Sequence, residues 1–230
     1  LFAYRDLVEE GAHGYLRLKA QKGWVIGYDP KLVSPDALAR LAAAAADTGA
    51  VLKPVSPNPI DTVWRDRPAI PTAQVVPHLD RYAGQAAAEK RAQIGEAVAK
   101  AGADMAVLTA PASLAWLFNI RGGDVARTPL PLGEAIVRAD GTADLFLAPE
   151  KVSPPLRDWL GNQVALRPPE EFAPALSALK GAKVLVDPGA SSAFVFSTLE
   201  QGGATIVRGQ DPVVLPPPRT NGVELDGGVL

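Results

Sequence analysis

Apolar positions recur along this chain with two periods, and the switches between them mark out the elements. Residues 1–22 set Tyr4, Leu7, Val8, Tyr15, Leu16 and Leu18 among charges at near-helical spacing, which predicts a helix broken around Gly11 and Gly14. Trp24-Val25-Ile26-Gly27-Tyr28 reads as a short buried strand ending at the turn Asp29-Pro30. Ser34-Pro35 then supplies a cap and a first-turn proline, and Leu38, Leu41, Ala42 and Ala45 follow along one face up to Gly49. Val51 to Val55 reads as a strand, so the order strand, helix, strand gives an α/β pattern.

A second unit opens with a helix from about Ala86 to Ala101. Ala87, Ile94, Ala97, Val98 and Ala101 share one face, and Glu96 and Lys100 sit at pairing distance on the other. Met105–Leu108 reads as a strand, Pro111–Phe118 as a short helix, and Asn119–Asp124 as a polar turn. Runs at Leu132–Val137 and Ala143–Leu147 flank Asp140-Gly141, a dipeptide that favours two-residue hairpin turns. Helix and strand then alternate: Val152–Leu160 into Val164–Leu166, Phe172–Leu179 into Lys183–Val186, and Ala193–Leu199 into Ala204–Val207. The expected architecture is a mixed sheet flanked by helices.

Six prolines (Pro54, Pro57, Pro59, Pro68, Pro71 and Pro77) separate these units, and such a stretch continues neither a long helix nor a central strand. The division expected is therefore 1–56, a linker at 57–77, a domain at 78–211, and a second proline-rich exit at 212–230. An indole is large enough that Trp64 is expected to pin the linker against a domain.

Composition narrows the functional classes. Hydrophobic residues make up 47% and charged residues 21%, ordinary for a packed globular chain. A formal net charge of -2 without a basic cluster argues against a nucleic-acid surface. No apolar run approaches the roughly 18–20 residues that span a bilayer. With no cysteine there is neither a disulfide framework nor a thiolate metal site, which fits a reducing cytoplasm. The start Leu1-Phe2-Ala3-Tyr4 lacks a methionine and a signal-like block, and reads as a fragment whose natural start is missing.

Two stretches carry more than composition. Ser113-Leu114-Ala115-Trp116-Leu117-Phe118-Asn119-Ile120-Arg121-Gly122-Gly123-Asp124-Val125 closes an apolar run on an amide, a guanidinium, two glycines and a carboxylate. Upstream lies Asn58-Pro59-Ile60-Asp61-Thr62-Val63-Trp64-Arg65-Asp66-Arg67-Pro68. Together they resemble the large, three-domain Xaa-Pro aminopeptidases (aminopeptidase P) of the creatinase/prolidase superfamily, where both motifs occur in this order. Residues 219–227 resemble the opening of that family's catalytic domain, departing at Arg219-Thr220.

The resemblance implies creatinase N-terminal-like domains: the end of a first domain, a complete second one, and the first residues of a pita-bread catalytic domain that is otherwise absent. In that family two divalent metals, expected to be manganese, share a bridging water and hydrolyse the bond before proline. Their ligands belong to the absent domain, so this chain is expected to hold neither catalytic nor metal residues, and the reaction, its peptide substrate and its cofactors belong to a parent enzyme. Partners implied are the catalytic domain and a second subunit in a homodimer, in the cytoplasm, with no nucleic acid and no membrane. An inactive creatinase-like protein-binding module and a creatinase-type amidinohydrolase are the alternatives.

The residues themselves agree with that placement. Only His13 and His78 are present, and neither stands in a metal-binding spacing; His78 and Asp80 are expected to make surface hydrogen bonds. Ser191-Ser192 follow Pro188-Gly189-Ala190 without forming G-x-S-x-G, and Ser191 is expected to cap a helix. Gly122-Gly123 and Gly202-Gly203 lack the phosphate-loop form. Trp116, Asn119, Arg121 and Asp124 remain as domain-interface or substrate-access candidates: a polar turn presented to the catalytic domain or the second subunit, with Trp116 packed beneath. The competing reading is a local Arg121–Asp124 ion pair bracing the turn.

Overall fold

The computed structural model describes residues 4–6 and 8–214. It divides into two compact units: one holds the described residues up to Pro68 together with Ser192–Phe194, the other begins at Ala69. The 219–227 resemblance lies outside the described residues.

In the first unit, α1 (Gly11–Lys19) runs uninterrupted through Gly14, followed by β1 (Val25–Tyr28), α2 (Pro35–Asp47) and β2 (Val51–Pro54). Ser34 caps α2 by accepting from the amide of Ala37, and Pro35 takes the first helical position. β1 and β2 pair in parallel, Val25 opposite Val51. The strand expected to be buried is half exposed, with Val25 at 63%. Its alternating pattern shows why: the described residues of this unit cover one face of the pair and leave the other to solvent.

The proline-rich segment is more ordered than its composition predicts. Within it lies a short helix, α3 (Pro59–Val63), where Pro59 occupies the first turn, the one place a helix tolerates proline. Asn58 caps it from one side of its amide, accepting from the amide of Ile60, and donates through Nδ2 to Asp29. Trp64, expected to be buried, is 47% exposed, with the Arg67 guanidinium over its ring and Arg67 paired to Asp61.

The second unit contains β3 (Val76–Pro77), α4 (Asp80–Ala83), α5 (Ala87–Lys100), β4 (Met105–Leu108), α6 (Pro111–Leu117) and β5 (Ile120–Arg121). It continues through β6 (Glu134–Arg138), β7 (Ala143–Phe146), α7 (Pro154–Leu160), β8 (Val164–Arg167), α8 (Phe172–Ser177), β9 (Lys183–Val186), α9 (Ala193–Gly202) and β10 (Thr205–Arg208). Six strands form one mixed sheet in the order β10-β9-β4-β6-β7-β8. The expected hairpin is β6–β7, antiparallel; β4 runs parallel to β9 and antiparallel to β6.

Side-chain alternation divides the core between the two sheet faces. Ala106 and Leu108 of β4, Ala135 and Val137 of β6, and Leu145 of β7 meet Ile94 and Val98 of α5, Leu114 and Leu117 of α6, and Leu156 of α7. Val107, Ile136, Phe146 and Val184 point the other way, onto Phe172 and Leu176 of α8 and Phe196 and Leu199 of α9. Each Val, Leu, Ile or Phe so buried contributes about 1.5–3 kcal/mol. A sheet covered on both faces explains why its central strands read as continuous apolar runs. The exception is Asp144 of β7, buried and held by Arg138 at 2.6 Å and Arg167 at 3.3 Å.

Candidate functional site

The junction of α6 and β5 is built inward. Asn119 follows the helix with φ +47, a left-handed backbone that asparagine tolerates better than most residues. Its side chain is fully engaged: Oδ1 accepts from Lys90 Nζ at 2.7 Å, and Nδ2 donates to the Gln85 carbonyl at 2.7 Å and to Asp80 Oδ1 at 3.1 Å. Its carbonyl accepts from the amide of His78 at 2.7 Å. At 1% exposure Asn119 ties α4, α5, α6 and β3 together. The ammonium of Lys90, itself buried, lies 4.5 Å from the centroid of the Trp116 ring and donates to the Trp116 carbonyl at 3.3 Å. Trp116 is thus part of the same knot, partly buried against the core.

Arg121 is half-buried on β5, opposite Val76, with Nη1 donating to the carbonyls of Ile120 (2.9 Å) and Ala115 (3.2 Å). That bond to Ala115 satisfies one of the carbonyls that the end of α6 leaves unpaired. Asp124 pairs with Lys151, Oδ2 to Nζ at 2.7 Å, and not with Arg121. The local Arg121–Asp124 pair is therefore replaced by a long-range one, in which both side chains are almost wholly buried (3% for Lys151, 0% for Asp124). Oδ2 also accepts from the amide of Leu132, while Oδ1 is buried without a donor. Lys151 further donates to the Leu132 carbonyl. Burial pushes the nearby Glu134 carboxyl above its ordinary value, and the Lys151 ammonium pulls it back.

The chain between β5 and β6 forms a loop tied at its root. Gly122 packs so closely that a Cβ there would lie 2.7 Å from the Pro131 backbone, which excludes any other residue. Beyond that root, Val125 to Thr128 turn through a bond from the Thr128 amide to the Val125 carbonyl, with Arg127 at φ +62. Val125 and Arg127 are exposed.

A second polar group went unnoticed in the sequence. At the carboxyl ends of β4, β9 and β10, Ser113 donates to Asp211 Oδ2 at 2.6 Å, and Asp187 Oδ2 accepts from the amide of Asp211. Burial, helped by the charge of Asp187, raises the Asp211 carboxyl above its ordinary value, against the bonds from Ser113 and Val213. Ser191 is buried here with its hydroxyl 3.2 Å from that of Thr109, and α9 begins two residues later. These residues are far apart in sequence, and only the parallel arrangement of the strands brings them together.

Among the described residues no group of three or more His, Cys, Asp or Glu is placed to hold a metal ion. Nor is any helix among them long and apolar enough to cross a membrane.

Comparison with known proteins places this architecture. An X-prolyl aminopeptidase from Caenorhabditis elegans, described as a cytosolic enzyme with a di-nuclear active site, superposes with a TM-score of 0.83 at 23% identity. The match covers 94% of this chain and 36% of that one, and establishes a shared fold. A probable Xaa-Pro aminopeptidase P from Arthroderma gypseum is 31% identical over 91% of this chain and 34% of its own length. Another, from Coccidioides posadasii, is 35% identical over 71% of this chain and 27% of its own. The chain therefore spans about a quarter to a third of the curated relatives it matches. The model of the creatinase/prolidase N-terminal domain matches residues 66–224, which hold the six-stranded sheet and the α6–β5 junction, and the chain belongs to that family.

Proposed function

We propose that this chain is the non-catalytic portion of a metal-dependent Xaa-Pro aminopeptidase, an enzyme that removes the N-terminal residue preceding proline. The observation that carries this reading is similarity to Xaa-Pro aminopeptidase P along 91% of the chain. The chemistry then belongs to a catalytic domain holding two divalent metals, manganese by expectation, which would activate a water and stabilise the developing oxyanion. This chain contributes by shaping the approach to that site and by making domain or dimer contacts, in the cytoplasm. Arg121 and the loop that follows it, both anchored by the Asn119 and Asp124 networks, are the contact elements in this reading.

The test compares two purified polypeptides, this chain and the product of the whole reading frame, each verified by intact mass. Both are assayed for manganese-dependent release of the first residue of an Xaa-Pro peptide. Activity in the longer polypeptide and none in this chain is the expected result. A longer polypeptide that loads manganese and leaves the peptide intact would overturn the reading in favour of a creatinase-like binding module.

A further inference from the structure

One corner of the first unit repeats a corner of the second in its hydrogen bonds. β1–α2–β2 and β9–α9–β10 are each a parallel pair joined by a helix, and their registers agree: Val25 stands opposite Val51 as Lys183 stands opposite Thr205. Gly23 and Gly181 open the two segments with φ +84 and +79, and Gly49 and Gly203 follow the two helices with φ +75 and +81. Gly23 donates to the Gly49 carbonyl and Gly181 to that of Gly203, each at 2.9 Å. Both first strands end in Asp-Pro, where the aspartate Oδ1 accepts from the amide two residues on: Asp29 from Lys31 and Asp187 from Gly189, each at 2.8 Å. The carbonyls of Tyr28 and Val186 accept from the amides of Val55 and Gly209, just past the second strands.

What flanks the two corners differs. β9 lies between β10 and β4, where Val184, Leu185 and Val186 stand opposite Met105, Ala106 and Val107, and all three are buried. β1 has β2 on one side and no described strand on the other; of the matching residues, Ile26 and Tyr28 are half-buried and Gly27 is exposed. Trp24 and Tyr28 turn their carbonyls to β2, so alternation along the strand turns the peptide groups of Val25 and Gly27 to the open edge. Their counterparts face β4, and the Lys183 carbonyl accepts from the amide of Asp104 at 2.8 Å. Parallel strands belong to sheets of several strands covered on both faces, and a pair alone is marginally stable.

We propose that the open edge of β1 is an acceptor site for one more parallel strand of the same polypeptide, which pairs with residues 26–28 in the register that 105–107 take on 184–186. In the second unit the pairing strand, β4, precedes β9 in the chain, so the repeat puts the added strand upstream of Leu1. It gives the peptide groups of Val25 and Gly27 the kind of partner that those of Lys183 and Leu185 have in β4. Main-chain bonding along an exposed edge is a recurring way of adding a strand. The proposal rests on the repeated geometry and is independent of the peptidase reading.

Deuterium exchange, read at single amides by fragmentation mass spectrometry, compares this 230-residue chain with the product of the whole reading frame and with that product lacking everything upstream of Leu1. The Leu185 amide, held by β4, is the internal standard in all three. In the 230-residue chain Val25 and Gly27 should exchange freely, while Ile26 and Tyr28, whose amides face β2, exchange slowly. In the whole product Val25 and Gly27 should slow on the order of a hundredfold or more, and removing the upstream residues should restore free exchange. Val25 and Gly27 as fast in the whole product as in the 230-residue chain would overturn the proposal. So would protection that survives removal of the upstream residues, since a downstream segment would then cover the edge. Slow exchange already present in the 230-residue chain would overturn it too; if that protection grows with concentration, the occupant is a second copy. No turnover is measured, so failure of the peptidase assay and failure here are separate results.

Discussion

Replacing Lys151 by methionine removes one partner of the most deeply buried ion pair among the described residues while keeping nearly the same volume. The Asp124 carboxylate would then have the Leu132 amide at 2.8 Å and nothing else, because Oδ1 has no donor to begin with. Breaking a buried pair in this way costs about 3–5 kcal/mol. The loss expected at pH 7 is of that size. For a unit of this size the neutral-pH figure corresponds to a fall in melting temperature on the order of 10 °C.

Urea unfolding read by the fluorescence of Trp116 and Trp159 isolates the second unit, once the half-exposed Trp24 and Trp64 are replaced by phenylalanine in every variant. The double variant Asp124→Leu, Lys151→Met should recover most of the loss, since no charge remains to be stranded. A single variant within about 1 kcal/mol of its parent at pH 7, or a double variant as unstable as the single, would refute the reasoning.

Gly95→Ala should lower the urea midpoint even though alanine is the better helix former by about 1 kcal/mol. The added Cβ would lie 2.5 Å from the Ala139 carbonyl oxygen, and overpacking costs about 1–3 kcal/mol or more; a raised midpoint would contradict the packing of α5 on the β6–β7 hairpin. For Asp211 the folded carboxyl titrates above its ordinary value, so the folded state binds more protons in the window above about 3.8, and stability falls as pH rises through it. Asp211→Asn should remove that part of the slope and stabilise the chain at pH 7, leaving the same-signed contribution of Glu134; an unchanged stability–pH profile would dispose of the idea. Burial pushes the Arg91 guanidinium down and leaves its Nε without an acceptor, so Arg91→Met should gain about 1 kcal/mol in thermal unfolding, and a loss would show that the charge has an unrecognised partner.

The α/β class, the mixed sheet, the β6–β7 hairpin and most element ends were legible from period and punctuation. Ser34-Pro35 started α2, and Asp140-Gly141 turned the hairpin, because capping and turn geometry depend on neighbours in sequence. Asn58-Pro59 carried the same local information, although six prolines in a short stretch suggested a linker where α3 lies. In the candidate stretch the sequence located a polar junction and did not show that two of its side chains turn inward. Asn119 and Asp124 looked like surface groups because polar residues beside glycines usually are, yet both side chains are buried.

What decided them lies elsewhere in the chain. Lys90 sits on α5, 29 residues before Asn119, and Lys151 lies 27 residues beyond Asp124. A helix or turn is specified by contacts within a few residues, so its signal survives in the sequence. The choice of counter-charge depends on which strands lie side by side, and the strand order β10-β9-β4-β6-β7-β8 has no local signature. By itself, then, the sequence determined the family, the elements and the place where a polar junction would fall. Only the tertiary structure decided that the junction is an internal knot and that Asp124 answers to Lys151.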